Sequence, residues 1–130
     1  MVEESVTGGT RIAQLLSSEI HGHERGPLGS LAVVDADTDI EPTGSGAFAY
    51  GIYRDGNRLA DVYVHPDRAR IEFYTGLEAA ADVADDEGLE VDAPSQEAHS
   101  PRTLVFVGNG AEVKRALRSI AAAAAEERGR

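Results

Sequence analysis

The chain has 130 residues and a mass of 13.7 kDa, carries 23 acidic against 12 basic side chains for a formal net charge of −11, and contains neither cysteine nor tryptophan. That length suits a single domain, residues 1–130 with residues 1–9 as a flexible lead-in, and it is enough to bury a core without a disulfide or a structural metal. The missing cysteines exclude disulfide frameworks, thiolate metal sites and cysteine nucleophiles, and the acidity excludes duplex nucleic acid as a partner, because phosphate neutralisation needs a basic stripe.

Ile12, Leu15, Leu16 and Ile20 form one apolar stripe at helical spacing and predict a helix over Thr10–His21, stopped by Gly22. Gly26, Pro27 and Gly29 mark a loop, Leu31–Ala36 reads as a strand, and an acidic, turn-rich linker follows over Asp37–Gly46. Ala47–Arg54, Arg58–His65 and Arg70–Thr75 are rich in β-branched and aromatic residues and are separated by turn signals, so they read as three strands. Parity sets their registers. A two-residue turn at Asp55 and Gly56 puts Asp61 on the face of Tyr50 and Ile52. A three-residue loop over Asp55–Asn57, with Asn57 left-handed, instead aligns Ile52 with Ala60, Tyr50 with Val62 and Phe48 with Val64. The second register buries no charge and is the one expected. In the next hairpin Pro66 fits the first corner of a type I turn, and a loop over Pro66–Ala69 pairs Val64 with Ile71 and Val62 with Phe73.

A second helix is predicted over Leu77–Glu87, with a narrow, alanine-rich stripe of Leu77, Ala80, Ala81 and Ala84 and Gly88 as its stop. Leu89–Val91 reads as a short edge strand, Asp92–Arg102 as a polar loop and Thr103–Val107 as the most hydrophobic strand. That strand feeds a last helix through Gly108, Asn109 and Gly110, where Val113, Ala116, Leu117, Ile120, Ala121 and Ala124 form the apolar stripe. The order αββββα(β)βα predicts an α+β fold in two layers, a mostly antiparallel sheet with three helices on one face.

Eleven of the twelve basic residues are arginine and Lys114 is the sole lysine. Such lysine-poor acidity reads as adaptation to concentrated salt, where a carboxylate surface stays hydrated and its self-repulsion is screened within about 3 Å at 1 M. There is no run of about 18 apolar residues and no basic-then-apolar opening, so a cytoplasmic protein without a membrane partner is expected. From the RIAQLL segment at Arg11 through RTLVFVGNGAEVKRAL at Arg102, the chain resembles a small uncharacterised family of salt-loving archaea, over nearly its whole length. The resemblance supports a salt-adapted, cytoplasmic reading and brings no activity, cofactor or catalytic residue with it. In element order alone the chain is similar to the secretion-chaperone-like fold, whose members bind other polypeptides.

Candidate chemistry is sparse. His21, His23 and Glu24, with His65 or His99 as a third donor, have metal-ligand types, but two histidines at i, i+2 do not share a helical face, and imidazoles also suit a helix C-terminus. Asp35, Asp37, Asp39 and Glu41 alternate without the glycine and distal glutamate of a calcium loop. No serine lies in a G-x-S-x-G elbow. Gly108-Asn109-Gly110 at a helix start could aim backbone N–H groups at a phosphate, with Lys114 or Arg115 as counter-charge, but it lacks the Lys-Ser/Thr of a nucleotide loop. No catalytic, cofactor-binding or metal residue is assigned, and no cofactor is expected. The expected registers place Tyr53, Leu59, Asp61, Tyr63, His65, Arg70, Glu72 and Tyr74 on the sheet face away from the helices, with Tyr63/Glu72, Asp61/Tyr74 and His65/Arg70 as cross-strand pairs. Tyrosine and arginine are interface-anchoring types, and they are equally ordinary on a solvated sheet. The expected function is a non-catalytic protein-interaction or dimerisation module using Tyr53, Tyr63, Arg70 and Tyr74. The alternatives are a phosphate-type ligand-binding domain or enzyme at Gly108-Asn109-Gly110 and, third, single-stranded nucleic acid stacked on the tyrosines.

Overall fold

Ile12, Leu16 and Ile20 recur every four residues and are all buried, which fixes α1 (Gly9–Gly22) as a helix lying on a sheet. The computed structural model describes residues 8–22, 31–36, 40–92 and 101–128; most of the lead-in, the Gly26–Gly29 loop and much of the Asp92–Arg102 loop lie outside them. After α1 come β1 (Leu31–Val34), β2 (Ala47–Arg54), β3 (Asn57–Val64) and β4 (Ala69–Phe73), then α2 (Leu77–Asp86), β5 (Glu90–Asp92), β6 (Thr103–Val107) and α3 (Gly110–Arg128). All neighbouring strands pair antiparallel in one six-stranded sheet of order β1-β2-β3-β4-β6-β5. The first four strands follow one another across the sheet. Helix α2 then carries the chain to the far edge, so that β6 returns between β4 and β5. This is the expected α+β order, edge strand included.

The β2–β3 hairpin reaches its expected faces by a different route. Asp55 and Gly56 have φ of 51° and 83°, the two left-handed corners of a two-residue turn, and Arg54 pairs with Asn57. Tyr53 then pairs with Arg58 and Ile52 with Ala60, which leaves Leu59 as an extra residue in β3. This bulge restores the parity that the tight turn alone would have broken. Ile52–Ala60 and Tyr50–Val62 are therefore the pairs expected, but Leu59 turns into the core instead of outward and Arg58 takes its place outside. A second bulge at Ala49 pairs Phe48 with Tyr63 and Ala47 with Val64, in place of the expected Phe48–Val64 pair.

The β3–β4 register is two residues tighter than expected. The His65 N–H donates to the Arg68 carbonyl at 2.8 Å, so Pro66 and Asp67 alone are the corners, and the ladder begins at Val64–Ala69. A shift of two keeps every side chain on its face. It does change the neighbours: Asp61 lies opposite Glu72 and Tyr63 opposite Arg70, in place of the expected Asp61/Tyr74, Tyr63/Glu72 and His65/Arg70 pairs.

On the inner face Ile52, Val62, Val64, Ile71, Phe73 and Val105 meet residues from all three helices in one buried cluster. The seam between α2 and α3 is made of small residues. Ser119 Oγ donates to the Ala80 carbonyl at 2.7 Å, and Gly76 abuts the backbone of Ala123. Thr103 Oγ1 donates to the Leu77 carbonyl at 2.8 Å and ties β6 to the start of α2.

Candidate functional site

Strand alternation sends Asp61 and Tyr63 from β3, with His65 just past its end, and Arg70 and Glu72 from β4, with Tyr74 just past its end, to the face without helices. Beside them β2 contributes Phe48 and Tyr53, β6 contributes Leu104 and Phe106, and Arg102 stands just ahead of β6. Asp61 and Glu72 face each other across the ladder and are only 2% and 8% exposed. Two neighbouring buried carboxylates repel and lose hydration, so cations and hydrogen-bond donors must meet them. Arg58 Nε lies 3.1 Å from Asp61 Oδ1, and the Tyr74 hydroxyl donates to Asp61 Oδ2 at 2.7 Å. Glu72 Oε2 accepts from Arg70 Nε at 2.8 Å, and its Oε1 accepts from Arg102 Nη1 at 2.9 Å.

The guanidiniums in turn lie against rings. Arg102 stands 4.5 Å and Arg58 5.3 Å from the Tyr74 centroid, and Arg58 also reaches Tyr53 at 5.9 Å. Arg70 lies 4.6 Å from the Tyr63 centroid, and Phe48 meets Tyr63 edge-on at 5.8 Å. Further along the face, Arg68 covers Phe106 at 4.3 Å. Arginines and rings thus roof over the two carboxylates. Gly51, opposite Asp61, makes room: a Cβ there would come within 2.9 Å of the Tyr53 ring and 3.4 Å of Asp61 Oδ1.

His65 is locked by partners of opposite character. Its Nδ1 is 3.0 Å from the Gly44 carbonyl, which only accepts, and its Nε2 is 3.0 Å from Arg70 Nη1, which only donates. The Nδ1–H tautomer satisfies both. Arg70 Nη1 also donates to the Ser45 carbonyl at 3.0 Å, so the turn before β2 is fastened to the same network. Gly46 passes so close, with φ of 95°, that a Cβ would lie 2.9 Å from Arg70 Nη1.

Burial holds the protons of Tyr50, Tyr63 and Tyr74 above the ordinary tyrosine range. At Tyr74 the hydrogen bond to Asp61 adds to this effect, and at Tyr63 the charges of Glu72 and Asp61 add to it against the opposing arginines. The folded protein therefore binds these protons more tightly than the unfolded chain, whose tyrosines titrate near pH 10. The associated stability is intact below pH 10 and is lost as pH rises above it. Alkaline titration followed by phenolate absorbance, alongside denaturant unfolding at each pH, should show ionisation delayed beyond pH 10 and stability falling from there. Simultaneous ionisation of all the tyrosines near 10 with flat stability would contradict the burial of these rings.

The other candidates fare differently. At the start of α3, Asn109 Oδ1 accepts from the Glu112 N–H at 3.0 Å, and Glu112 Oε1 accepts from the Gly108 N–H at 2.7 Å. Side chains of the protein itself thus accept from two of the backbone N–H groups at this helix start, in the manner of a capping box. His21 is exposed at the end of α1, and His23, Glu24 and His99 lie outside the described residues. Asp35 and Glu41 are exposed, while Asp37 and Asp39 lie outside the described residues. Among the described residues no cluster of three or more such side chains could hold a metal, and no helix is long and apolar enough to cross a membrane. A cavity of about 240 Å³ between α1 and β2, lined by Thr10, Gln14, Ser17, Ser18 and Tyr50, sits in the helical layer and has no charged lining among the described residues.

Sequence reasoning brought together Tyr53, Asp61, Tyr63, His65, Arg70, Glu72 and Tyr74, and they do share the outer face. It missed Phe48 and Arg58, which the two bulges reposition, and Arg102, which its polar neighbours place in a loop. The alternation of β6 carried the signal for Leu104 and Phe106, since Thr103, Val105 and Val107 are its inward set.

An antiparallel sheet covered by helices on one side and by an arginine–tyrosine layer on the other defines an open-faced α+β protein. The chain belongs to DUF7993, a family of unknown function, which it matches over residues 1–130. No curated protein and no solved structure matches it.

Proposed function

We propose that this protein is a salt-adapted, cytoplasmic, non-catalytic interaction module that docks a protein partner through its open sheet face, with Tyr53, Tyr63, Arg70 and Tyr74 at the centre. The observation that carries the reading is the self-sufficiency of the face. Asp61 and Glu72 are met from within by Arg58, Tyr74, Arg70 and Arg102, leaving half-buried rings and guanidinium planes to face outward on a rigid sheet. Tyrosine, phenylalanine and arginine are the types enriched where interfaces concentrate their energy. Side chains already fixed by buried hydrogen bonds have less freedom to lose on binding. A flat, open surface suits a macromolecule better than a reaction that needs a concave, water-excluding pocket. Ring and guanidinium contacts also act at close range, so they persist when salt shortens the Debye length to about 3 Å at 1 M.

Light scattering with size-exclusion chromatography in molar potassium chloride tests the reading. A species heavier than 13.7 kDa, formed by the pure protein or with a partner recovered from its own cytoplasm, should revert to the monomer in the Tyr63→Ala/Tyr74→Ala double variant with far-UV circular dichroism unchanged. Association that ignores both substitutions, or a monomer in every sample, removes the proposal.

A further inference from the structure

We infer that the partner presents an acidic polypeptide segment to this face, and that Arg58 and Arg102, both packed against the Tyr74 ring, receive its carboxylates. The inference rests on the reading above, that the open face docks a protein, and adds the chemistry of what docks.

Around the Tyr74 ring, charge on β3, β4 and Arg102 is sorted by depth. The carboxylates of Asp61 and Glu72 lie beneath, whereas the side chains of Arg58 and Arg102 are 45% and 39% exposed. A chain of net charge −11 therefore turns cationic groups outward here and covers the anions that orient them. Arg68, toward the other end of the face, is offset at the rim by Glu90 at 3.6 Å, and Asp92 is exposed opposite Leu104, so the cationic character is local to the Arg58 and Arg102 guanidiniums beside the Tyr74 ring.

Hydrogen-bonding capacity points the same way. Arg58 meets Asp61 through Nε, so among the described residues its two Nη atoms, a pair that can grip both oxygens of a carboxylate, have no hydrogen bond. Arg102 uses Nη1 for Glu72, and its Nε is buried with no hydrogen-bond partner among the described residues. Asp61 Oδ1 has Arg58 beside it but no aligned donor. The outer N–H groups of Arg58, with the half-exposed guanidinium of Arg102 beside them, thus remain for a partner's acceptors, on side chains whose positions are already set by ion pairs and by the Tyr74 ring.

The surroundings select among anions. A free metabolite would want a concavity, and the face is an open sheet. A nucleic acid brings a charge at every phosphate and would meet the acidic remainder of the chain beyond these arginines. An acidic segment needs one carboxylate at each guanidinium, and its backbone and apolar side chains can lie over Tyr63 and Leu104. Concentrated salt screens the wider repulsion while contacts at hydrogen-bond distance survive.

Fluorescence anisotropy with three labelled probes tests this in dilute buffer and in molar potassium chloride. The probes are a Glu-Gly-Ser repeat peptide, its Gln-Gly-Ser counterpart and a single-stranded oligothymidine. The glutamate peptide should bind, the glutamine peptide should bind about tenfold more weakly, and the oligothymidine should not bind. Because removing Arg58 outright would strand Asp61, the variants are Arg58→Lys and Arg102→Lys, which keep the ion pairs and lose the planar fork. Each should weaken the glutamate peptide several-fold with tyrosine near-UV circular dichroism unchanged. Equal binding of both peptides, or binding of neither, overturns the inference. In those cases an association that still depends on Tyr63 and Tyr74 leaves the docking face standing, and its absence removes both. Preference for the oligothymidine overturns the inference in favour of a nucleic-acid face.

Discussion

Gly76→Ala is expected to destabilise the protein by about 2–5 kcal/mol, enough to unfold much of a marginally stable domain. Gly76 caps the start of α2 with φ of 62° and ψ of 35°, a left-handed conformation that costs an alanine about 1–2 kcal/mol. A Cβ there would also lie 2.6 Å from both the Cα and the carbonyl oxygen of Ala123 and 2.9 Å from its Cβ. These are atoms of the α3 helix itself. They cannot rotate aside as a long side chain would, so α2 must slide off α3, and overpacking of that kind costs a further ~1–3 kcal/mol. The slide would strain the Ser119–Ala80 and Thr103–Leu77 hydrogen bonds on either side. Gly88 supplies the control: its φ is 79°, but nothing lies within 4 Å of a Cβ built there, so Gly88→Ala should show the conformational cost alone. Denaturant unfolding of the two variants in molar potassium chloride separates strain from contact. Equal losses would mean that the α2–α3 seam is looser than the structure has it.

The same seam marks what a one-dimensional pattern conveys. The stripe of α2 was legible as Leu77, Ala80, Ala81 and Ala84, narrow and rich in alanine. In the fold that narrowness is what lets α2 approach α3, with Ala80 and Ala84 buried against it. Helices and strands were legible because their periods are local, and the two faces of β2–β4 were legible because a shift of two preserves parity. The bulges at Leu59 and Ala49 were not, since nothing in NRLADV or FAYG marks an extra residue until two strands are laid side by side. Asp61 lies on the face away from Tyr50 and Ile52, as the cost of burying a charge among apolar side chains requires. Asp61 is buried all the same, under arginine and tyrosine side chains instead of helices. A roof built from Arg58, Tyr74 and Arg102 joins residues far apart in sequence, and long side chains that fold over their neighbours leave no period to read. At Gly108-Asn109-Gly110 the reach of Glu112 back to the Gly108 N–H is likewise a contact that the sequence shows only as a spacing.

Glu72→Gln should cost about 3 kcal/mol, at the lower end of what removing one partner of a buried ion pair does. The carboxylate accepts from Arg70 on one oxygen and from Arg102 on the other, and a glutamine must turn its amide N–H groups toward one of those donors. Water can reclaim half-exposed Arg102, which moderates the loss, but Arg70 is mostly enclosed beside Tyr63, His65 and the Ser45 carbonyl and cannot be rehydrated as readily. Glu87→Gln is the comparison. It also removes one carboxylate from an arginine, Arg118, but at an exposed surface pair whose contribution should stay within about 1 kcal/mol. Urea unfolding of both variants, with the tyrosine near-UV signal as a second probe, distinguishes a structural network from a solvated surface. If Glu72→Gln behaves like Glu87→Gln, the arginines of the open face are held by nothing firmer than surface pairing. They would then have to be ordered anew by any partner, and the rigidity on which docking through this face depends would be missing. If the large loss is found, the carboxylates under the roof are what keep Arg70 and Arg102 presented, and the energy of that presentation is already part of the fold before a partner arrives.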